Sequence, residues 1–289
     1  MLQLQIEHCQ RDEADLISEL LEDAGAVSIT MTDKYDDAIL EPELGTCPLW
    51  PHVVIQSLFT ENDLAHHALQ SLAAHYSHVE CTMKELPEQD WERVCMVDFK
   101  PLHFGKRLWI CPSWLTPPEP DAVNLILDPG LAFGTGTHQT TSLCLRWLEQ
   151  ADLVGKDIID FGCGSGILAL AALKLGAKHA YAVDIDQQAL IATRSNAENN
   201  TITDAQLTAG YPDILKTPTD LLIANILLSP LLTLKEQFHR LLNNGGTLVV
   251  SGILEDQVES LIDAYQGIFT HHSSMLDNGW ALVVFKRQG

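Results

Sequence analysis

Apolar and polar residues alternate through "LQLQIEH" (2–8), which predicts a strand, and the period then changes to a helical one in "RDEADLISELLEDAGA" (11–26). There Leu16, Ile17, Leu20 and Leu21 stand at helical spacing, and Gly25 is placed to stop the helix. "VSITMTD" and "HVVIQSLF" read as strands around an acidic loop (33–45), "ENDLAHHALQSLAAHY" as a second helix and "HVECTMKEL" as a fourth strand. The order β-α-β-β-α-β predicts a small α+β domain of the ferredoxin-like kind over residues 1–88. Asp90 to Phe99 reads as a short helix ended by Pro101, so 89–101 is expected to be a linker helix.

Beyond it, "KRLWICPSW" and "VNLILD" read as strands separated by the turn "TPPEPD". From residue 137 strands and helices alternate: strand "KDIIDFG", helix "GILALAALKLGA", strand "HAYAVDID", helix "QQALIATRSNAENN", a short strand near Leu207 and the buried strand "DLLIANI". A helix from Pro230 to Leu242, the strand "GTLVVSG" and a helix from Glu255 to Tyr265 follow. Such a run predicts a parallel, doubly wound sheet. The end differs, because Asn278-Gly279 between two strand-like runs signals an antiparallel hairpin. A hairpin closing a parallel sheet fits an α/β, Rossmann-like class I methyltransferase domain, expected over 102–289.

Composition narrows the function classes. The net charge of −22 is uneven: residues 1–88 carry 17 acids against 3 bases, and the remainder 22 against 14. A segment at −14 repels a nucleic-acid backbone and suits a basic protein partner, although charge alone also serves solubility. No apolar run reaches membrane-spanning length and no basic start precedes an apolar block, so neither a membrane span nor a signal peptide is expected. Seven scattered cysteines without a C-x-x-C pair argue against a disulfide framework or zinc site and fit the cytoplasm. The adjacent pairs His66-His67 and His271-His272 do not share a helix face and are not read as metal ligands; Trp91, Trp109 and Trp114 are read as packing.

Chemistry is carried by three elements. "IIDFGCGSGILALA" joins a buried strand to a helix through Gly162, Gly164 and Gly166. Without Cβ atoms these residues let the chain turn sharply and let a ligand reach the backbone. A dinucleotide site favours G-x-G-x-x-G, and here the third glycine position is Ile167. The G-x-G-x-G spacing suits S-adenosylmethionine (AdoMet), whose methionine portion carries no phosphate; a tight structural turn is the plain alternative. Asp184 ends the next strand twenty residues after Gly164, where a carboxylate accepts hydrogen bonds from both ribose hydroxyls. Asp160 either braces the loop, approaches the amino-acid part of the ligand or is a structural cap. Asn225 ends a very apolar strand at the edge where doubly wound sheets bind ligands. Amino-group methyltransferases place Asn or Asp there, followed by prolines and an aromatic residue. The segment Asn-Ile-Leu-Leu-Ser-Pro shares only the first of these, and a strand-end turn is its other reading.

Residues from about Asp90 to Asn225 resemble the PrmA family, methyltransferases of large-subunit ribosomal protein eleven. The stretches that carry the likeness are "DWERVCMVDFKPLHFGKRLWICPSW", "LDPGLAFGTGTHQTTSLCL", "IDFGCGSGILALAALKLGA", "VDID" and "ANIL". The Gly-Thr loop in the second is the most specific; it has no Walker lysine and is no phosphate loop. Gln139 stands where a proline is expected in that family. The resemblance implies that the N-terminal domain recognises substrate and that the Gly-Thr loop is a cofactor lid. It implies that Phe133 packs near AdoMet, Thr141 hydrogen-bonds its methionine end, Gly162 contacts it by backbone and Asp184 holds the ribose. Asn225 would sit beside the sulfonium and the incoming amine, as the catalytic residue. His138 is either a general base or, more simply, a loop histidine or helix cap.

The expected activity is methyl transfer to a lysine side chain or the α-amino group of a basic ribosomal protein. Three rivals stand beside it: an amino-methyltransferase of RNA or DNA, which the −14 segment disfavours; an NAD-dependent oxidoreductase, which Ile167 and the hairpin disfavour; and a non-catalytic AdoMet-binding module.

Overall fold

The alternation in the first strand holds with one interruption. β1 (Leu2–Gln10) buries Leu4, Ile6 and Cys9, and its register shifts between Ile6 and Cys9, which puts the two-residue period out of step by one position. The structure, a computed structural model, describes residues 1–35, 48–86, 99–128, 134 and 136–288, and the chain divides into two units, Met1–Met96 and Val97–Gly289. Residues 99–101 excepted, the expected linker helix over 89–101 lies outside the described residues.

In the first unit, α1 (Arg11–Asp23) begins on a capping box between Gln10 and Glu13 and carries Asp12 and Glu13 in its first turn, where the helix dipole favours negative charge. Its inner face is Ala14, Ile17, Ser18 and Leu21. Leu16 is 57% exposed, a correction to the face expected from its spacing: it stands two residues from both Ala14 and Ser18, which puts it on the opposite side of the helix from the buried face. β2 (Ser28–Asp33), β3 (His52–Phe59), α2 (Asn62–His75) and β4 (Cys81–Glu85) complete the unit. The four strands form one antiparallel sheet in the order β2-β3-β1-β4, and Val53, Ile55 and Phe59 meet the buried helix faces in a single core.

The second unit opens with a three-stranded sheet of β5 (Leu102–Phe104), β6 (Leu108–Cys111) and β7 (Val123–Ile126). β5 is not predicted from the sequence, since three residues are too few for an alternation to stand out. Then come α3 (Gln139–Gln150), β8 (Asp157–Phe161), α4 (Ile167–Lys174), β9 (His179–Val183), α5 (Gln187–Asn199), β10 (Leu207–Gly210), β11 (Thr219–Asn225), α6 (Leu228–Arg240), β12 (Leu242–Leu254), α7 (Val258–Tyr265), β13 (Phe269–Asp277) and β14 (Trp280–Arg287).

Seven strands make one sheet in the order β10-β9-β8-β11-β12-β14-β13. The first five are parallel, and β14 runs antiparallel to both neighbours. Successive residues of β11 enter opposite clusters: Leu221 and Ile223 join α3 and α4, while Leu222 and Ala224 join α6 and α7. Helices therefore cover both faces, as the apolar strands require. α4 is apolar all round, and Ile167 to Leu173 are all buried in it. The turn between β13 and β14 places Asn278 and Gly279 at φ 49° and 79°, the two left-handed residues of a tight hairpin. Among the described residues no helix is long and apolar enough to cross a membrane.

Candidate active site

The ligand edge of a doubly wound sheet lies beyond the carboxyl ends of its parallel strands, and the residues singled out in the sequence gather there. After β8 the chain turns through Gly162, Gly164 and Gly166 at φ 79°, 54° and 79°. A Cβ on Gly162 would stand 2.5 Å from Ile226 Cγ2, and one on Gly166 would stand 2.8 Å from Thr193 Cγ2. Conformation and space therefore both demand glycine at these two positions. The turn is tied from several sides. Gly162 N and Cys163 N donate to Val183 O, Thr193 Oγ1 donates to Gly164 O at 3.0 Å, and Asn196 Nδ2 donates to Ser165 O at 2.9 Å. Ser165 Oγ donates to Gly134 O at 2.6 Å, joining the turn to the Gly-Thr loop. Phe133 lies outside the described residues.

Asp184 stands one residue past β9. Its Oδ2 accepts Gly164 N–H and its Oδ1 accepts Asp186 N–H, both at 3.0 Å. A carboxylate has about four acceptor positions, so two backbone bonds leave two for a ligand's hydroxyls. Asp186 is occupied elsewhere. The strand has ended before it, and its side chain caps α5 by accepting Gln188 N–H.

Asp160 lies beneath the turn, fully buried. Its Oδ2 accepts Ala169 N–H at 3.0 Å, which satisfies one of the open donors of the first turn of α4, while its Oδ1 is buried without a partner. Burial raises its pKa to about 7; the bond from Ala169 opposes the shift and the charge of Asp184 adds to it. An ammonium donor is the chemical complement of such an orphaned oxygen, so these residues fit AdoMet. In the ligand-free protein the sign of the effect on stability is fixed. With a native pKa raised above that of the unfolded chain, the contribution is fully present below about pH 4 and lost as pH rises towards about 7. Unfolding of Asp160→Asn in urea should show a smaller loss of stability between pH 5 and pH 7.5 than the unsubstituted chain; an equal loss would place the slope elsewhere.

Asn225 ends β11. Its Nδ2 donates to Thr141 Oγ1 at 3.3 Å, so two residues 84 positions apart meet. Thr141 is only 1% exposed, on the first turn of α3, and its hydroxyl backs the Asn225 amide. Ile226 N–H donates to Ser251 O at 3.2 Å, which leaves the carbonyl of Ile226 as the group this residue can offer a ligand. Gly252, at φ 85°, makes the close approach possible: a Cβ there would stand 2.5 Å from Ile226 O, a backbone atom with nowhere to move.

A cavity of about 320 Å³ opens beside this corner, lined by His138, Thr140, Asn225, Ile226, Leu227, Gly252 and Trp280. His138 caps α3. Its Nδ1 accepts Thr140 N–H at 3.3 Å and lies 2.8 Å from Thr140 Oγ1, and burial lowers its pKa. Its ring meets Trp280 edge to face at a centroid distance of 4.9 Å. Gly252, Thr140 and Trp280 are not anticipated from the sequence. The Ser-Gly that ends "GTLVVSG" is the one local signal, and it points to Gly252.

Three comparisons bear on identity. The family model described as "Ribosomal protein L11 methyltransferase (PrmA)" matches residues 1–288. A protein of Legionella pneumophila named ribosomal protein L11 methyltransferase is 60% identical over 283 residues, 98% of each chain. One of the same name from Hahella chejuensis is 46% identical over 278 residues, covering 95% of this chain and 94% of its own. The crystal structure of a ribosomal protein L11 methylase from Lactobacillus delbrueckii subsp. bulgaricus superposes with a TM-score of 0.61 at 34% identity, covering 66% of this chain and all of that one. With a match that begins at residue 1, ends at 288 and runs through glycine turn, Asp184 and Asn225 alike, the chain belongs to the ribosomal protein L11 methyltransferase (PrmA) family.

Proposed function

We propose that this protein transfers methyl groups from AdoMet to amines of ribosomal protein L11, on lysine side chains or the N-terminal α-amine. The observation that carries the reading is Asn225, which ends the strand next to the glycine turn, lines the cavity and has its amide nitrogen held from behind by the buried Thr141 hydroxyl. When bound, AdoMet supplies an electrophilic methyl group on a sulfonium. Gly162 and Gly164 would give it bare backbone, Asp184 the ribose contact, Phe133 and Thr141 packing and polar contact at the lid and methionine end, and Asp160 its free oxygen.

A lysine ammonium has an ordinary pKa of about 10.4 and no lone pair to offer. The walls of the cavity favour the neutral amine, since burial disfavours the charged form. The Asn225 side-chain oxygen and the Ile226 carbonyl then accept the remaining amine hydrogens and aim the lone pair. Transfer moves a positive charge from sulfur to nitrogen and creates no new one, so orientation supplies much of the acceleration and, with the amine already neutral, no strong base is required. His138 is read as a cap rather than a base. His138→Ala should lower stability by about 1 kcal/mol, as loss of a helix N-cap does, and slow turnover by less than about tenfold, whereas removal of a general base costs about 10²- to 10⁴-fold. A loss of the larger size, with a shifted pH–rate profile, would restore the base.

The first unit, with net charge −14 over residues 1–88, is read as a ferredoxin-like module that recognises the basic substrate, joined by a linker around 89–101 to a catalytic domain over 102–289. Labelled methyl from AdoMet, offered to unmethylated ribosomal components and then separated into protein and RNA, tests the whole reading. Label in one small basic protein supports it. Label in RNA would favour the nucleic-acid rival, and tight AdoMet binding without label would favour a non-catalytic module.

A further inference from the structure

We propose that Trp280 determines how far methylation proceeds, by holding a partly methylated amine in the cavity so that it is used again. The inference rests on the cavity beside Asn225 being the acceptor site. Among the described residues, none of the seven that line the cavity is a carboxylate, so these walls offer no counter-charge to a cation formed there. Its partners are the Asn225 oxygen, backbone carbonyls and the indole.

The indole is held in place from two directions. It follows the Asn278-Gly279 turn at the start of β14, where Trp280 pairs with Asp277 of β13 and Leu254 of β12. His138 braces it through the edge-to-face contact, and His138 is itself fixed as the cap of α3. Trp280 is half-buried, with part of its surface packed on the core and part facing the cavity.

Each round adds one bond and removes one. The amine lone pair forms the N–C bond, the C–S bond breaks with its electron pair left on sulfur, and the departing co-product is S-adenosylhomocysteine. The ammonium formed must release a proton to water before a further round. A primary ammonium is well hydrated through three donors. Every added methyl removes a donor and adds apolar surface, so the cost of leaving water falls and attraction to an aromatic face gains in weight. Trp280 therefore discriminates by methyl state, holding the mono- and dimethyl forms better than the unmethylated one. Room is sufficient, since a cavity of about 320 Å³ is large beside the few heavy atoms of a methylated amine.

The test follows mono-, di- and trimethyl amine in ribosomal protein L11 by mass spectrometry over time, for the unsubstituted protein, Trp280→Ala and Trp280→Phe. Trp280→Ala should slow the second and third transfers about tenfold more than the first, the size expected of a desolvated cation–π contact, and monomethyl product should accumulate. Trp280→Phe, which keeps an aromatic wall, should restore much of the difference. Equal slowing of all rounds by Trp280→Ala, or an unsubstituted protein that stops at one methyl, would overturn the inference. No amine methylation by the unsubstituted protein would instead overturn the functional reading, and this inference with it.

Discussion

Asn225→Ala should lower the single-turnover rate of methyl transfer by about 100-fold or more, the scale of a misplaced reacting group, while the Kd for AdoMet rises by less than about tenfold. The reason is the place of the side chain. Its amide nitrogen is spent on Thr141 Oγ1, which fixes the orientation of the group and leaves the oxygen as the acceptor facing the cavity. Alanine removes that acceptor and leaves the buried Thr141 hydroxyl without its partner. Rate and binding should therefore separate, because the amine loses its guide while the glycine turn and Asp184 are untouched. A Kd that rises as far as the rate falls would make Asn225 a cofactor anchor with no distinct role at the acceptor. Thr141→Val provides a graded companion: it removes the backing hydroxyl, keeps the volume and should give a smaller loss of rate.

The second large effect belongs to Asp184. Asp184→Ala should weaken AdoMet binding by about 100-fold or more, given that hydrogen bonds to a charged group contribute about 1.5–3 kcal/mol each and two are lost. Part of the loss would come from the protein itself. The carboxylate also accepts the N–H groups of Gly164 and Asp186, so it helps to set the glycine turn itself. Asp184→Asn keeps one acceptor oxygen and should fall between the two. Calorimetric titration with S-adenosylhomocysteine checks the order. An alanine variant that binds within about threefold of the unsubstituted chain would mean that the ribose is held elsewhere.

Much of this corner was legible in the sequence, for physical reasons. Glycine at alternate positions after a buried strand has few explanations other than a left-handed turn open to a ligand, and all three glycines have positive φ. An asparagine closing "DLLIAN" must find a partner, and it finds Thr141. Asn-Gly encodes its hairpin locally. What escaped was set by distant contacts. No local pattern says that Thr193 and Asn196 of α5 hold the glycine turn, or that Gly252 must lack a side chain because Ile226 O passes beside it. β12 begins at Leu242, ahead of the expected "GTLVVSG", because a register shift against β11 takes up Asn243 to Gly246 within the strand. Trp280 reads as an ordinary strand residue until the fold brings it against His138.

The most direct test of the central claim is the intact mass of purified, unmethylated ribosomal protein L11 after incubation with this protein and AdoMet, followed by fragmentation to place the added groups. The account predicts an increase in whole methyl increments, located on lysine side chains or the N-terminal amine and absent with Asn225→Ala over the same time. An unchanged L11 mass, with AdoMet bound and the same preparation methylating ribosomal RNA, would contradict it.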